Sequence, residues 1–286
     1  MNNAITHEFI EVNGIKLHIA KQGSGEKLVI LLHGWPEFWY TWRYQIPVLS
    51  EKYTVVAPDL RGFNLSDKPK GIKNYKLDIV ASDIAELIPK LGFKKAFIVG
   101  HDFGGATAWV FAALYPELTE KLVVLNCPHP KEMFIGMKKL SQMRKSWYIF
   151  MHQIPFLPEL LYKLFLPLFF KTFVRGWMYN KKNFTDEDLN AFVNAFKQKG
   201  AITGSLNYYR AMVQTKPNKA VFKNKIKAAT LVIWGENDKA LGKELSYNTA
   251  KYIDASYDIK YISNCSHWTQ NDCPNEVNKY LMEFLE

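Results

Sequence analysis

Cysteine is scarce. The 286-residue chain has three (Cys127, Cys265 and Cys273), none of them in a Cys-x-x-Cys pair. An odd, scattered set argues against a disulfide framework and against a thiolate zinc site, so reduced thiols are the simplest reading. Long apolar runs are also missing. The most apolar stretch, Leu160 to Phe170, falls well short of the ~20 residues that a membrane-spanning helix needs. The opening residues, MNNAITHEFIEVNGIKLHIA, alternate polar and apolar side chains and lack a basic n-region followed by an apolar h-region. Nothing in them points to export, and the expected compartment is the cytoplasm. No internal repeat and no Gly/Ser linker is visible. With 48% hydrophobic residues against 16 Gly and 13 Pro, the collagen, low-complexity and disordered classes are excluded.

What the chain has is an uneven distribution of charge. The net charge is +10, from 37 Lys+Arg and 27 Asp+Glu. Between Lys131 and Ala220 there are 15 Lys+Arg and 5 Asp+Glu, so this stretch carries the whole excess and the remainder is neutral. It also holds 17 of the 42 aromatic residues. Asn126-Cys127-Pro128-His129-Pro130 bounds it on one side and Lys216-Pro217-Asn218 on the other. We read residues 131–220 as a helical cap, or lid, domain inserted into a core of residues 1–130 and 221–286. Its aromatic side chains would roof an apolar pocket while its lysines lie in solvent with their stems packed on the surface. The same charge would suit steering of amphipathic anions or contact with an anionic membrane surface. The Leu160–Phe170 run would suit lid core or a homodimer contact. Nucleic acid is not expected as a partner, because no nucleic-acid motif accompanies the charge.

Along the chain, Phe9–Val12 and Ile15–Ala20 flank Asn13-Gly14, a dipeptide that supplies the positive φ angles of a type I′ hairpin turn. Continuous apolar runs at 27–32, 53–57 and 96–99 mark strands covered on both faces. Helical spacing of Leu77, Val80, Ala81, Ile84, Leu87, Ile88 and Leu91 predicts a helix over 75–91, stopped at Gly92. The alternation continues with a helix after Gly104, strands at 121–125 and 230–234, a helix near 244–252, a strand at 259–262 and a last helix from Asn275. This predicts an α/β protein whose doubly wound, mostly parallel sheet is led by an antiparallel hairpin. Ligands in such sheets bind at the carboxyl ends of the strands.

Those strand ends carry the chemistry. After the strand at 96–99 comes Gly100-His101-Asp102-Phe103-Gly104-Gly105, which has the shape of the nucleophile elbow G-x-Nu-x-G with Asp102 in the nucleophile position. Taken alone, a Gly-rich turn with an aspartate also reads as a helix N-cap. Gly235-Glu236-Asn237-Asp238 follows another strand, and Ser266-His267-Trp268 follows the last. Nucleophile, acid, histidine is the order of the hydrolase triad on this sheet. His267 would activate water as general base, and Asp238 would fix its tautomer and stabilise the imidazolium. Glu236 and His101 have no assigned task. In the loop His33-Gly34-Trp35-Pro36-Glu37-Phe38, the N–H of Trp35 would join the N–H of Phe103 as an oxyanion hole. A cis peptide is expected before Pro36.

Six segments in order, HGWPEF at 33–38, RGFNLSDKP at 61–69, GHDFGG at 100–105, PHP at 128–130, WGENDKAL at 234–241 and SHW at 266–268, resemble signatures of the soluble epoxide hydrolase family. The resemblance spans nearly the whole chain and implies the α/β-hydrolase fold with a helical cap. It also implies two cap tyrosines that hold and protonate the epoxide oxygen. The segments at 146–153 and 206–210 are similar to those that carry them, which places Tyr148 and Tyr209 in these roles, with Tyr208 as the competing choice for the second. Trp35, Phe38, Phe103, His152 and Trp268 are the expected substrate-lining residues.

An aspartate nucleophile also constrains the electrophile. Attack on an acyl carbon would give an anhydride, whereas attack on a strained or halogenated sp³ carbon gives an ordinary ester. The expected electrophile is therefore an epoxide or an alkyl halide; the family resemblance implies a small apolar epoxide, opened by Asp102 and released as a vicinal diol by His267-activated water. No cofactor and no metal is called for. Haloalkane dehalogenase uses the same Asp-His-Asp triad and is the alternative. Dehalogenases of this fold carry Trp directly after the nucleophile, where this chain has Phe103, although Trp35 retains an indole N–H. A non-catalytic binding protein of the same fold is the reading from another class, and turnover would exclude it.

Overall fold

The computed structural model describes residues 4–286. Eight strands form one sheet: β1 (Thr6–Val12), β2 (Ile15–Gln22), β3 (Leu28–Leu32), β4 (Thr54–Pro58), β5 (Ala96–His101), β6 (Thr119–Leu125), β7 (Ala229–Gly235) and β8 (Tyr257–Ile262). Their order is β1-β2-β4-β3-β5-β6-β7-β8. Only β2 runs against the others, pairing antiparallel with both β1 and β4. The hairpin turn has φ of 48° at Asn13 and 70° at Gly14, the positive pair that the Asn-Gly dipeptide was expected to supply. β3, β4 and β5 are buried along their whole length, as continuous apolar runs require.

Helices cover both faces: α1 (Ile46–Leu49), α2 (Leu77–Lys90) and α3 (Phe103–Leu114), with α11 (Thr269–Asp272) and α12 (Pro274–Leu285) closing the chain. Two apolar cores result. One lies beneath α2, α3 and the segment between β6 and β7, and the other beneath α1 and α12. Between β6 and β7 the chain runs through α4 (Pro130–Gly136), α5 (Leu140–Lys145), α6 (Trp147–Met151), α7 (Leu157–Phe169), α8 (Asp186–Lys197), α9 (Ala201–Gln214) and α10 (Lys219–Lys223). α8 starts on a capping box in which Thr185 and Asp188 satisfy each other's backbone N–H groups. α7 kinks at Phe165, where φ is −121° and ψ 22°; two residues on, Pro167 withholds the N–H that would continue the ladder.

Two boundaries differ from expectation. The helix anticipated near 244–252 is a pair of short 3-10 turns, Lys243–Leu245 and Thr249–Tyr252. Ser246 between them donates its hydroxyl to the Lys243 carbonyl at 2.7 Å, the local bonding by which Ser, Asn and Thr compete with a helix. The helix expected from Tyr75 starts at Leu77, preceded by a 3-10 turn over Ile72–Tyr75.

Candidate active site

Asp102 sits between β5 and α3 with φ 49° and ψ −117°. A left-handed aspartate is costly and persists where its surroundings hold it. A Cβ on Gly100 would come within 2.3 Å of the Gly104 carbonyl oxygen, one on Gly104 within 2.1 Å of that of Leu32, and one on Gly34 within 2.5 Å of the Asp102 Cβ. Glycine at these positions lets the strand, the helix and the 33–38 loop close around the carboxylate. The Trp35–Pro36 peptide is cis. The Trp35 N–H donates to Asp102 Oδ1 at 2.9 Å, and the Phe103 N–H opens the first turn of α3, where backbone donors have no intrahelical partner.

His267 stands between two carboxylates, with Nδ1 2.7 Å from Asp238 Oδ2 and Nε2 3.5 Å from Asp102 Oδ2. Asp238 Oδ1 accepts from the N–H groups of Ala240 (2.7 Å) and Leu241 (2.8 Å), while Oδ2 also accepts from Asn126 Nδ2 at 2.8 Å. Burial disfavours the His267 imidazolium, yet Asp238 and Asp102 more than offset it and hold the pKa well above the usual histidine value. Burial likewise works against the Asp102 carboxylate, but the His267 contact, His101 and the Trp35 N–H bring its pKa below the usual range.

Two cavities meet at Asp102. One of about 280 Å³ runs beside α7 and is lined by Trp35, Tyr162, Phe169, Trp177 and Trp268 among others. The second, of about 470 Å³, is lined by Phe103, Val110, Cys127, Ile149 and Val221. Asp102, Tyr148 and Tyr209 belong to both. The rings of Tyr148 and Tyr209 are 5.8 Å apart and nearly perpendicular. Burial pushes both phenols well above their ordinary pKa, so both keep their protons. Tyr208 differs: its hydroxyl donates to the Arg61 carbonyl at 2.9 Å, which leaves Tyr209 as the neighbour whose ring packs 4.7 Å from Phe103 and 5.4 Å from Trp35. Helix α9 is brought this close because Gly204 lies directly on the backbone of Gly62.

A model of the α/β-hydrolase fold family matches residues 27–272. Epoxide hydrolase 1 of Caenorhabditis elegans is 40% identical over 97% of this chain and 69% of its own length. The chain belongs to the epoxide hydrolase family. Epoxide hydrolase 4 of Homo sapiens is 37% identical over 98% of this chain and 79% of its own. Among solved structures, Epoxide Hydrolase A from Mycobacterium thermoresistibile superposes with a TM-score of 0.85 at 26% identity, covering 99% of this chain and 98% of that one.

Within this epoxide hydrolase family site, two of the anticipated lining residues stand elsewhere. Phe38 is buried against Phe192, 5.2 Å between ring centroids, and lines neither cavity. His152 is buried behind the wall, its ring 5.0 Å from Trp35 and 4.5 Å from Tyr209, with Nε2 2.8 Å from the Tyr162 hydroxyl. Trp35 and Trp268 line the smaller cavity and Phe103 the larger.

Several residues without an assigned task prove to hold the site together. His101 Nε2 lies 2.8 Å from the His267 carbonyl and Nδ1 2.8 Å from Glu37 Oε2. The carbonyl can only accept. Burial would raise the pKa of the Glu37 carboxyl, but His101, Thr41 and Gly34 hold it below the usual range. Glu37 also accepts from the Gly34 N–H (2.8 Å), the Thr41 hydroxyl (2.7 Å) and Gln270 Nε2 (2.9 Å). The loops bearing Trp35 and His267 are thus joined through one buried carboxylate. Ligand atoms of Cys265, Asp272 and Cys273 gather within 4.8 Å of one another. The Asp272 oxygens are taken by the N–H groups of Ser266, Tyr179 and Asn180 at 2.6, 3.0 and 2.5 Å, so this carboxylate serves as a backbone clamp. Among the described residues no helix is long and apolar enough to cross a membrane.

Proposed function

We propose that the chain hydrolyses apolar epoxides to vicinal diols, with residues 131–220 as the cap and Asp102 as a covalent nucleophile. The observation that carries the reading is the convergence of Asp102, Tyr148 and Tyr209 on both cavities: a carboxylate and two protonated phenols are the nucleophile and the acids that ring opening needs. Asp102 Oδ1 is held by the Trp35 N–H at 2.9 Å, whereas Oδ2 has only the longer 3.5 Å contact with His267 Nε2, so Oδ2 is the oxygen that attacks. As its electron pair forms the new C–O bond, the epoxide C–O bond breaks and the departing oxygen takes a proton from the tyrosine pair. The product is a hydroxyalkyl ester with Oδ1 as its carbonyl oxygen.

Esterification removes the Asp102 charge, and with it part of what holds the proton on His267. The imidazolium gives that proton, by way of water, to the tyrosinate left by ring opening and becomes a base, still oriented by Asp238. Water gives a proton to His267 and attacks Cγ of Asp102, and negative charge develops on Oδ1 against the Trp35 and Phe103 N–H groups. Collapse breaks the bond from Cγ to the alkyl oxygen; the departing alkoxide takes the remaining proton of the added hydroxyl, which releases the diol and restores the Asp102 carboxylate beside protonated His267. No step requires a metal or cofactor.

The dehalogenase alternative draws on one observation: the indole N–H groups of Trp35 and Trp268 are buried without a hydrogen-bond partner, and both rings line the smaller cavity. Incubating the enzyme and an Asp102→Ala variant with an aromatic epoxide and with a bromoalkane of similar size separates the two readings. Diol release that the variant loses supports epoxide hydrolysis. Bromide release alone would overturn it in favour of dehalogenation, and no product from either would point to a binding protein.

A further inference from the structure

Seventeen of the twenty-one large hydrophobic side chains that are exposed among the described residues lie between 131 and 220. Helix α7 orders them. Leu157, Leu160, Leu161, Leu164 and Leu168 recur at helical spacing along one face and are 40–61% exposed, while Pro158, Tyr162 and Leu166 on the other face are buried. A helix apolar on both faces is ordinarily covered on both. At its amino end Phe156 is 85% exposed with φ at +64°, a left-handed conformation that a bulky residue rarely adopts. Isolated surface leucines need no explanation, but a continuous apolar face of this kind marks an interaction surface.

The charge around this face identifies the partner. Of the five acids in 131–220, Glu132 and Asp188 are buried, Glu159 is held by Arg210 and Asp186 by Arg175, which leaves Glu187. Lys163 and Lys171, on and just beyond α7, are exposed. A second copy would bring two cationic faces together. A layer of anionic headgroups over hydrocarbon matches both the lysines and the leucines. We propose that the outer face of α7, led by Phe156, docks on anionic lipid bilayers and lies in the plane of the interface. Leu161, Phe165 and Leu168 of this helix also line the smaller cavity, so the docked face places a cavity wall against the lipid. Uptake of substrate from the bilayer rests on the epoxide reading; the docking itself does not.

The test is sedimentation of the full chain with vesicles of phosphatidylcholine alone or mixed with phosphatidylglycerol, at low and high salt. The expected result is retention on the mixed vesicles that weakens with salt. Leu160→Asp/Leu164→Asp, at positions that line neither cavity, is expected to reduce partitioning at least about tenfold. Lys163→Ser/Lys171→Ser is expected to reduce it roughly 30-fold. Phe9→Asp, an exposed residue on β1, controls for a generic loss of surface hydrophobicity and should bind like the parent chain. Equal retention on both vesicle types, or unchanged binding by the leucine variant, would overturn the proposal. A dimer in gel filtration that the leucine variant dissolves, with no vesicle binding, would assign the face to a second copy instead. Because binding is read without turnover, an inactive but vesicle-bound chain would refute only the catalytic reading.

Discussion

Removing the phenol hydroxyls one at a time and together tests the division of labour at the meeting point of the cavities. Tyr148 and Tyr209 are both buried, both keep their protons, and both line the two cavities together with Asp102. Each would donate to an oxygen that becomes an alkoxide during ring opening. A hydrogen bond to a charged group is worth roughly 1.5–3 kcal/mol, so Tyr148→Phe or Tyr209→Phe should slow ring opening by about 10- to 150-fold. The phenylalanines preserve the 5.8 Å edge-to-face packing, so a folding defect is not expected. Two donors to one oxygen can partly stand in for each other, so the double variant should lose at least the sum of the single losses, about 3–6 kcal/mol of transition-state stabilisation. The assay is single-turnover stopped flow, with quenching of Trp35, 5.4 Å from Tyr209, reporting ester formation and its recovery reporting hydrolysis. Ring opening should slow while hydrolysis keeps its rate, since the second step uses His267 and the backbone N–H groups. Wild-type kcat/KM in the double variant, or a loss confined to hydrolysis, would refute the assignment. In contrast, Tyr208→Phe should cost stability through its bond to Arg61 and leave ring opening almost unchanged.

Glu37→Gln should be severe although it is nearly isosteric, because the Gly34 N–H donates to one carboxylate oxygen and the Thr41 hydroxyl and Gln270 Nε2 to the other, so an amide NH₂ must face a donor either way; urea unfolding should show a loss of about 3 kcal/mol, accompanied by a fall in kcat. An unchanged urea midpoint would show that the network is dispensable. Gly34→Ala would place a Cβ 2.9 Å from Asp102 Oδ1, and a displacement of even about 1 Å at the nucleophile should cut kcat/KM by roughly 100-fold; near-normal kinetics would mean that the loop yields freely. His129 and His152 are both lowered to about 3, chiefly by burial, so they are neutral when folded and take up protons on unfolding below the ordinary value of 6.5. Stability should therefore fall as pH drops from about 6.5 toward 3, by up to ~4 kcal/mol at pH 5 for the two together. His129→Gln/His152→Gln should flatten that slope in urea titrations at pH 7 and pH 5, and an unaltered slope would place the acid sensitivity elsewhere.

The sheet was legible because its strands are written as uninterrupted apolar runs, and Asp102, Asp238 and His267 because each directly follows one. A residue just beyond a buried strand has little choice of direction, so chain order alone placed these three side by side. Loop side chains carry no such constraint. Phe38 leads into the 3-10 turn Trp39–Trp42 and turns toward Phe192, and His152 ends α6 behind Trp35 rather than in front of it. Glu37, His101, Asn126 and Gln270 went without a role for another reason. Their importance lies in partners up to 233 positions away, which a local reading of motifs does not register. The 244–252 segment shows a related limit: the strand–helix alternation suggested a helix, and the segment forms two short turns with Ser246 bonded back to Lys243 between them.

The Asp272 clamp constrains how the insertion can move. One carboxylate grips Ser266 next to His267 and, at the same time, the backbone of Tyr179 and Asn180 in the insertion; Asn180 and Asn183 donate their amides to the Asp272 carbonyl as well. Swinging this corner outward would pull on the histidine loop and strand a buried carboxylate. The corner therefore moves only together with the His267 loop, whereas the margin where α4, α6 and α9 border the larger cavity is not held by this carboxylate. Five bonds to one residue thus tie the insertion to the loop that carries His267.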